Sequence, residues 1–136
     1  MLSELKVYAT CFVSFFVIDL IWIGVIMKSF YIEQLRPIGR ITGDKFEPVI
    51  WAAAAVYVVL AIGVVNLVLP RISSDTSWLG TWGYGALLGF VIYATYDLTN
   101  YSTLKDYTLL VTFADMAWGT VLGGVVTCIA RYVRDL

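Results

Sequence analysis

The sequence predicts an all-α membrane protein, a four-transmembrane-helix antiparallel bundle that forms one integral-membrane domain over residues 1–136. The chain is 60% hydrophobic and 14% charged, with a mean hydropathy of +0.84. A soluble domain of this composition would lack the polar residues needed to cover its core. The charged residues are also clustered, and each of the four apolar runs between the clusters reaches the roughly 20 residues that cross a bilayer as a helix.

The first predicted span covers about residues 6–27 and ends at Lys28. It is too long for a signal peptide, contains Asp19 and has no small-residue cleavage site, so we expect it to be retained. A polar connection follows, which Pro37 and two glycines interrupt. Its first part, residues 30–35, mixes aromatic, aliphatic and charged residues, which fits either a helix lying flat in the membrane interface or a solvated loop.

The remaining spans are predicted at about residues 48–69, 78–98 and 107–130. Pro48 occupies a position suited to the first turn of a helix, and Pro70 ends the second span. The short connection after Pro70 is rich in hydroxyl side chains and predicts a turn.

Small residues occur at helical spacing in the last two spans, as the pairs Gly85 and Gly89, and Gly119 and Gly123. Transmembrane helices use such surfaces for close approach, because no hydrophobic force drives their association in lipid. The glycines are therefore expected to pack helices within the chain, and a homodimer face is the alternative.

The composition excludes several classes of function. A net charge of −1 without a basic stripe argues against nucleic acid as a partner. The absence of His removes the usual proton shuttle and the commonest transition-metal ligand. Cys11 and Cys128 have neither CxxC nor zinc spacing and are interpreted as small buried hydrophobes. We therefore expect no cofactor and no metal; the only residues that suggest a divalent cation are Asp97 and Asn100.

Two carboxyls interrupt the apolar spans, Asp19 in the first and Asp115 in the fourth. Asp19 lies nine residues before Lys28, and Asp115 lies nine residues after Asp106. The two helices cross in opposite directions, so both acids are expected about 13 Å below the same surface. Their matched depth predicts a joint polar site.

An ionised carboxylate at that depth costs roughly 3 kcal/mol, and no basic residue lies inside a predicted span to neutralise it. The acids must then be protonated, hydrogen-bonded to each other or to neighbouring side chains, hydrated, or bound to a cation. Two adjacent carboxyls can share one proton, because ionising both is expensive. A structural clamp that fixes helix register is the alternative to a functional site.

Each acid is followed three residues later by a tryptophan, Asp19 by Trp22 and Asp115 by Trp118, on the same helical face. Indole N–H groups only donate hydrogen bonds, so both tryptophans suit the holding of carboxylate oxygens. Further candidates for the polar site are given by position: Thr112 lies one turn before Asp115, and Tyr93 lies on the third span.

A third polar cluster lies where the third span leaves the membrane, and it contains Asp97 and Asn100. We expect it either to form the mouth of a water-accessible pocket leading to the acid pair or to satisfy a helix end.

The stretch "YDLTNYSTLKDYTLLVTFADMAWGTVLGG", together with "DLIWIGV" in the first span, resembles the bacterial membrane-protein family called domain of unknown function 2177. The resemblance covers nearly the whole chain, and residues 97–101 and 115–119 are its most specific portions. It implies a small four-span protein of the bacterial inner membrane, and it supplies no activity.

Three functions fit these residues. The first is binding or transport of a small molecule or lipid, coupled to a proton on the acid pair. The second is a membrane-embedded lipid-modifying enzyme that uses the acids as general acid and base. The third is a structural or accessory subunit. We favour the first, with the bilayer and a small hydrophobic or cationic ligand as partners.

Orientation is weakly encoded, because basic residues number four on the side of the termini and five on the other. We expect a multi-pass protein of the inner (cytoplasmic) membrane with both termini in the cytoplasm.

Overall fold

The computed structural model describes residues 2–136, and five helices make up most of that part of the chain. Their bounds are Leu2–Ile21 (α1), Lys28–Leu35 (α2), Ile50–Gly63 (α3), Trp78–Thr103 (α4) and Leu109–Asp135 (α5). The all-α prediction is confirmed, apart from two strands of two residues each, Ile41–Thr42 (β1) and Lys45–Phe46 (β2).

Two of the helices continue in a wider, π-helical form, α1 through Trp22–Ile26 and α3 through Val64–Val68. The first of these turns closes with the amide of Met27 donating to the carbonyl of Trp22 at 2.7 Å. Such turns change the helical register and occur frequently at functional sites. Here the turn begins at Trp22, three residues after Asp19.

Three helices are long and apolar enough to cross a membrane, at Ser3–Ile26, Ile50–Arg71 and Leu109–Asp135. Helix α4 contains 26 residues, but it carries many glycines, threonines and tyrosines and is not among the three. The chain is thus an α-helical membrane protein, and the count of four spans stays a prediction.

Large apolar side chains cover the outer faces of the long helices, as lipid contact requires. Examples with more than half of their surface exposed are Leu5, Val25, Val59, Leu87 and Leu110.

The connection between the first two spans is more regular than expected. Residues 28–35 form α2, whose Tyr31 and Ile32 are buried against the rest of the chain, so this segment is not a solvated loop. The two strands then pair as an antiparallel hairpin, with Thr42 opposite Lys45. Gly43 adopts a φ of 59° at its turn, a conformation that a residue with a side chain rarely adopts.

Helices α4 and α5 pack antiparallel at very close range. A Cβ atom added to Gly89 would lie 2.0 Å from the carbonyl oxygen of Gly119, and one added to Gly85 would lie 2.4 Å from that of Gly123. The four glycines are therefore engaged within one chain, as expected. Their alternative role in a homodimer stays a prediction.

Helices α1 and α3 also run antiparallel, because Tyr8 contacts Asn66 near one end and Asp19 contacts Tyr57 nearer the other. The main core forms where α1, α3 and α5 meet, around Cys11, Val64 and Val126. Cys11 is buried as predicted, whereas Cys128 is only partly buried.

Candidate functional site

Asp19 is buried in the protein interior, where two aromatic side chains hold its carboxyl. The hydroxyl of Tyr57 on α3 donates to Oδ2 at 2.9 Å, and the indole of Trp118 on α5 donates to Oδ1 at 2.8 Å. Trp118 therefore holds a carboxylate, as predicted, but the carboxylate belongs to the other helix rather than to its own Asp115.

Asp115 is held from α2 instead. The hydroxyl of Tyr31 donates to its Oδ1 at 2.7 Å and accepts a hydrogen bond from the indole of Trp22 at 3.3 Å. Trp22 thus reaches Asp115 only through Tyr31. The rings of Trp22 and Trp118 stack at 4.1 Å between centroids with an interplanar angle of 4°.

The two acids are therefore joined by aromatic groups rather than by a shared hydrogen bond. Within residues 2–136, the hydrogen bonds of both carboxyls run to Tyr or Trp side chains, and neither acid takes part in an ion pair. The sequence leaves open whether the acids are protonated, hydrogen-bonded, hydrated or bound to a cation. The structure shows that aromatic side chains hydrogen-bond to both carboxyls.

Asp97 forms a third acid–tyrosine pair, on α4. It is fully buried and accepts a hydrogen bond from the hydroxyl of Tyr107, while its Oδ2 has no partner in the described part of the chain. The sequence predicts that Asp97 lies at the mouth of a water-accessible pocket or satisfies a helix end. In the structure its side chain is fully buried. Asn100, one turn further along α4, is half-buried, and its side chain makes no hydrogen bond to a described residue.

The remaining candidates are only partly in the site. The ring of Tyr93 packs directly on Gly119, where an added Cβ would lie 2.1 Å from it. Thr112 is buried but donates to the backbone carbonyl of Thr108 at 2.8 Å, as hydroxyls inside helices often do. It makes no hydrogen bond to either acid.

A cavity of about 850 Å³ opens beside the acid pair. Both Asp19 and Asp115 line it, together with the three tyrosines that hold the acids. Its other walls are mainly apolar and come from α1, α2, the hairpin, α3 and α5: Phe12, Phe16, Leu20, Ile23, Leu35, Phe46, Ile50, Ala53, Ala54 and Val111. Lys28 and Lys45 also line it.

Small side chains make room for this cavity. Ala53 and Ala54 belong to the run of four alanines in α3, which the sequence suggests as a packing face. Tyr57 lies one turn beyond Ala53 on the same helical face and reaches Asp19 from there.

Sequence reasoning missed the tyrosines that hold the acids. Tyr57 could have been found as a hydroxyl at helical spacing from a run of alanines. Tyr31 lies in the first connection and Tyr107 at the start of the predicted fourth span, and no spacing rule links them to an acid that is 84 or 10 residues away.

Tyr31 is a stable hydrogen-bond donor. Burial, and after it the negative charge of Asp115, raises the pKa of its phenol above the usual value. The group therefore remains protonated at physiological pH and can donate to Asp115 continuously.

We expect Tyr31 to stay un-ionised in the folded protein at about pH 11, one unit above the ordinary tyrosine value. The phenolate absorbance of wild type and of Tyr31→Phe should then coincide at that pH and differ by one tyrosine only after unfolding. Since the raised pKa belongs to the folded state, the stability contributed by the protonated phenol is complete below about pH 10 and is lost as the pH rises further. A phenolate difference between the folded proteins at that pH would show that Tyr31 is not buried against Asp115.

Within residues 2–136, no group of three or more His, Cys, Asp or Glu side chains is placed to hold a metal ion. The fold and the site thus define a polytopic α-helical membrane protein with acids held by aromatic residues beside a cavity. The chain belongs to the family described as "Predicted membrane protein (DUF2177)", whose model matches residues 4–132. No curated protein and no solved structure matches the chain.

Proposed function

We propose that this membrane protein binds a small molecule or lipid in the cavity and couples its binding or transport to a proton on the acid pair. One observation supports this above the others. Asp19 and Asp115 line the same cavity of about 850 Å³, and most of its other walls are apolar.

The size and the walls of the cavity suit an amphipathic ligand. Sites for small molecules typically measure about 300–1,000 Å³ and combine apolar walls with a few convergent polar groups. Here the polar groups are the two carboxyls and the tyrosine hydroxyls, and phenylalanine, leucine and isoleucine side chains form most of the remainder.

The acid pair supports proton coupling because hydrogen-bond donors, and no cations, hold it. Such a carboxyl can be ionised with its donors in place or neutral with a proton of its own, and a ligand entering the cavity changes the balance. Titratable side chains surround the pair. Tyr31 and Tyr57 hydrogen-bond to its carboxyls, and the same cavity is also lined by Tyr96, Tyr107, Lys28 and Lys45.

The proposed setting is the inner membrane of a bacterium, with several passes and with both termini in the cytoplasm. Helical spans, rather than a closed β-barrel, support the choice of membrane. The placement of the termini rests on an even number of spans.

Filling the cavity tests the binding function. We expect Ala54→Leu to weaken binding of 1-palmitoylglycerol to the purified protein at least about tenfold, because the larger side chain occupies ligand space. Ala55→Leu is the matched control, since Ala55 is exposed on the same helix and does not line the cavity. Native mass spectrometry in a mild detergent measures both. Equal binding by the two variants would place the ligand elsewhere.

A pH series tests the proton coupling. Binding of the same probe should vary with pH in wild type, and the variation should disappear in the double variant Asp19→Asn, Asp115→Asn. If wild type binds the probe equally well at every pH, the proposed proton coupling is wrong, and only the binding function remains.

Acid–base catalysis on a bound lipid is the second candidate, because two carboxyls face one cavity. A probe recovered with altered mass after incubation with wild type, but unaltered with the double variant, would favour the enzyme. An accessory role would be favoured if no probe bound and the double variant retained wild-type function in cells.

A further inference from the structure

Two lysines give the cavity a positively charged end. Lys28 begins α2 and Lys45 begins β2, and both lie outside the segments able to cross a membrane. Neither takes part in an ion pair or a side-chain hydrogen bond with any residue in the described part of the chain. Both ammonium groups are therefore available to a ligand.

The hairpin explains how Lys45 comes to the cavity. The left-handed Gly43 makes the tight turn, and the pairing of Thr42 with Lys45 fixes the register of the strand that follows. Phe46, next in the chain, also lines the cavity and anchors the strand there.

The chemistry of the cavity wall changes in order along α1 and into the connection that follows it. Lys28 begins α2, two residues after the π-helical end of α1 at Ile26, and so lies on the connection side of Asp19. Phe16 and Phe12 lie on the opposite side of Asp19, the latter about 10 Å away. The wall therefore runs from cationic, through hydrogen-bonding, to apolar.

We infer that the occupant of this cavity is an amphiphile with an anionic head group, a phosphate or a carboxylate, bound between Lys28 and Lys45. This inference rests on the proposed binding function and names its ligand class. The apolar chain extends past the acids toward Phe16 and Phe12. The order of groups in the wall keeps the anion away from the two carboxyls and places an uncharged linkage, such as an ester, beside them.

Head-group charge tests the inference. The full-length protein in a nonionic detergent is offered hexadecyl phosphate, palmitate, 1-palmitoylglycerol and hexadecyltrimethylammonium, and binding is measured by native mass spectrometry. We expect the two anionic probes to bind about tenfold more tightly than the neutral one, since two partly exposed ion pairs contribute roughly that factor. The cationic probe should bind most weakly.

The double variant Lys28→Gln, Lys45→Gln should lose that tenfold preference for the anionic probes and bind the neutral probe as wild type does. Lys105→Gln is the control, because Lys105 is an exposed residue of the α4–α5 connection that does not line the cavity. Retained binding of the neutral probe shows that the double variant is folded.

Three results would overturn the inference while leaving the proposed function intact: equal binding of anionic and neutral probes, tighter binding of the cationic probe, or no effect of the double lysine variant. Binding of inorganic phosphate as tight as that of hexadecyl phosphate would also overturn it, since the site would then recognise an anion without a chain. If no amphiphile binds at all, the proposed function fails together with the inference.

Discussion

Gly89→Ala is expected to destabilise the protein by about 3 kcal/mol or more, because the new methyl group has no space. An added Cβ at this position lies 2.0 Å from the carbonyl oxygen of Gly119 and 3.3 Å from the Cα of Gly123. Both neighbours are backbone atoms, so no side chain can rotate away to accommodate the methyl group. Relief requires that α4 and α5 separate along their length.

Gly83→Ala on the same helix is the matched control. A Cβ at Gly83 meets nothing within 4 Å, so the substitution should be neutral or stabilise the helix by up to about 1 kcal/mol. Thermal unfolding in detergent, followed by circular dichroism, compares the two variants. Similar unfolding temperatures would show that α4 and α5 do not approach as closely as the glycine contacts indicate.

The same contact positions the site. Tyr93 lies one turn beyond Gly89 on α4, and its ring packs on Gly119, which directly follows Trp118. Separation of α4 and α5 should therefore also disturb the hydrogen bond from Trp118 to Asp19. Gly89→Ala should then weaken ligand binding as well as lower the stability of the protein.

Arg131→Gln should cost about 3 kcal/mol of stability, because it removes a buried guanidinium that satisfies several acceptors at once. The side chain is only 6% exposed. It donates to the carbonyl of Thr76 at 2.6 Å and to the hydroxyl of Thr81 at 2.5 Å, and it lies 4.6 Å from the ring centroid of Trp78. It thereby ties the end of α5 to the start of α4.

Arg131→Lys should recover only part of the loss, since a single ammonium cannot reproduce the planar array of donors. Arg40→Gln is the control, because Arg40 is exposed and its side chain makes no hydrogen bond to a described residue. Urea or thermal unfolding of the three variants gives the comparison. A loss for Arg131→Gln no larger than for Arg40→Gln would mean that the buried contacts contribute nothing net.

Arg131 also shows where sequence reasoning was limited. The fourth span is predicted to end near residue 130, yet α5 continues to Asp135. An arginine after an apolar run resembles a membrane-edge charge in the sequence. Only the fold shows that its partners are carbonyls 55 residues away in the chain.

The helical and membrane character could be predicted because each depends on local properties, namely the length and hydropathy of the runs and the clustering of charges. Asp19 and Asp115 could likewise be identified as candidate site residues, since an acid inside an apolar helix is unusual wherever the helix packs. The close α4–α5 contact was also suggested by glycines at helical spacing.

The partners of each acid depend on how the helices are rotated against one another, and spacing along one helix does not determine this. The sequence paired each Asp with the Trp three residues later, whereas in the fold Trp118 holds Asp19 across the helix interface and Tyr31 holds Asp115. Helix rotation is set by packing, here by the backbone contacts of the glycines and by the π-helical turn after Asp19.

Hydropathy and span length act residue by residue, so the chain could be recognised from its residues as a helical membrane protein with two acids in its apolar spans. The folded chain was needed to learn that tyrosines hold those acids, that a cavity opens beside them and that two lysines line it. These features require segments distant in the chain to meet, and their meeting is fixed by side-chain volume and hydrogen bonding across helices.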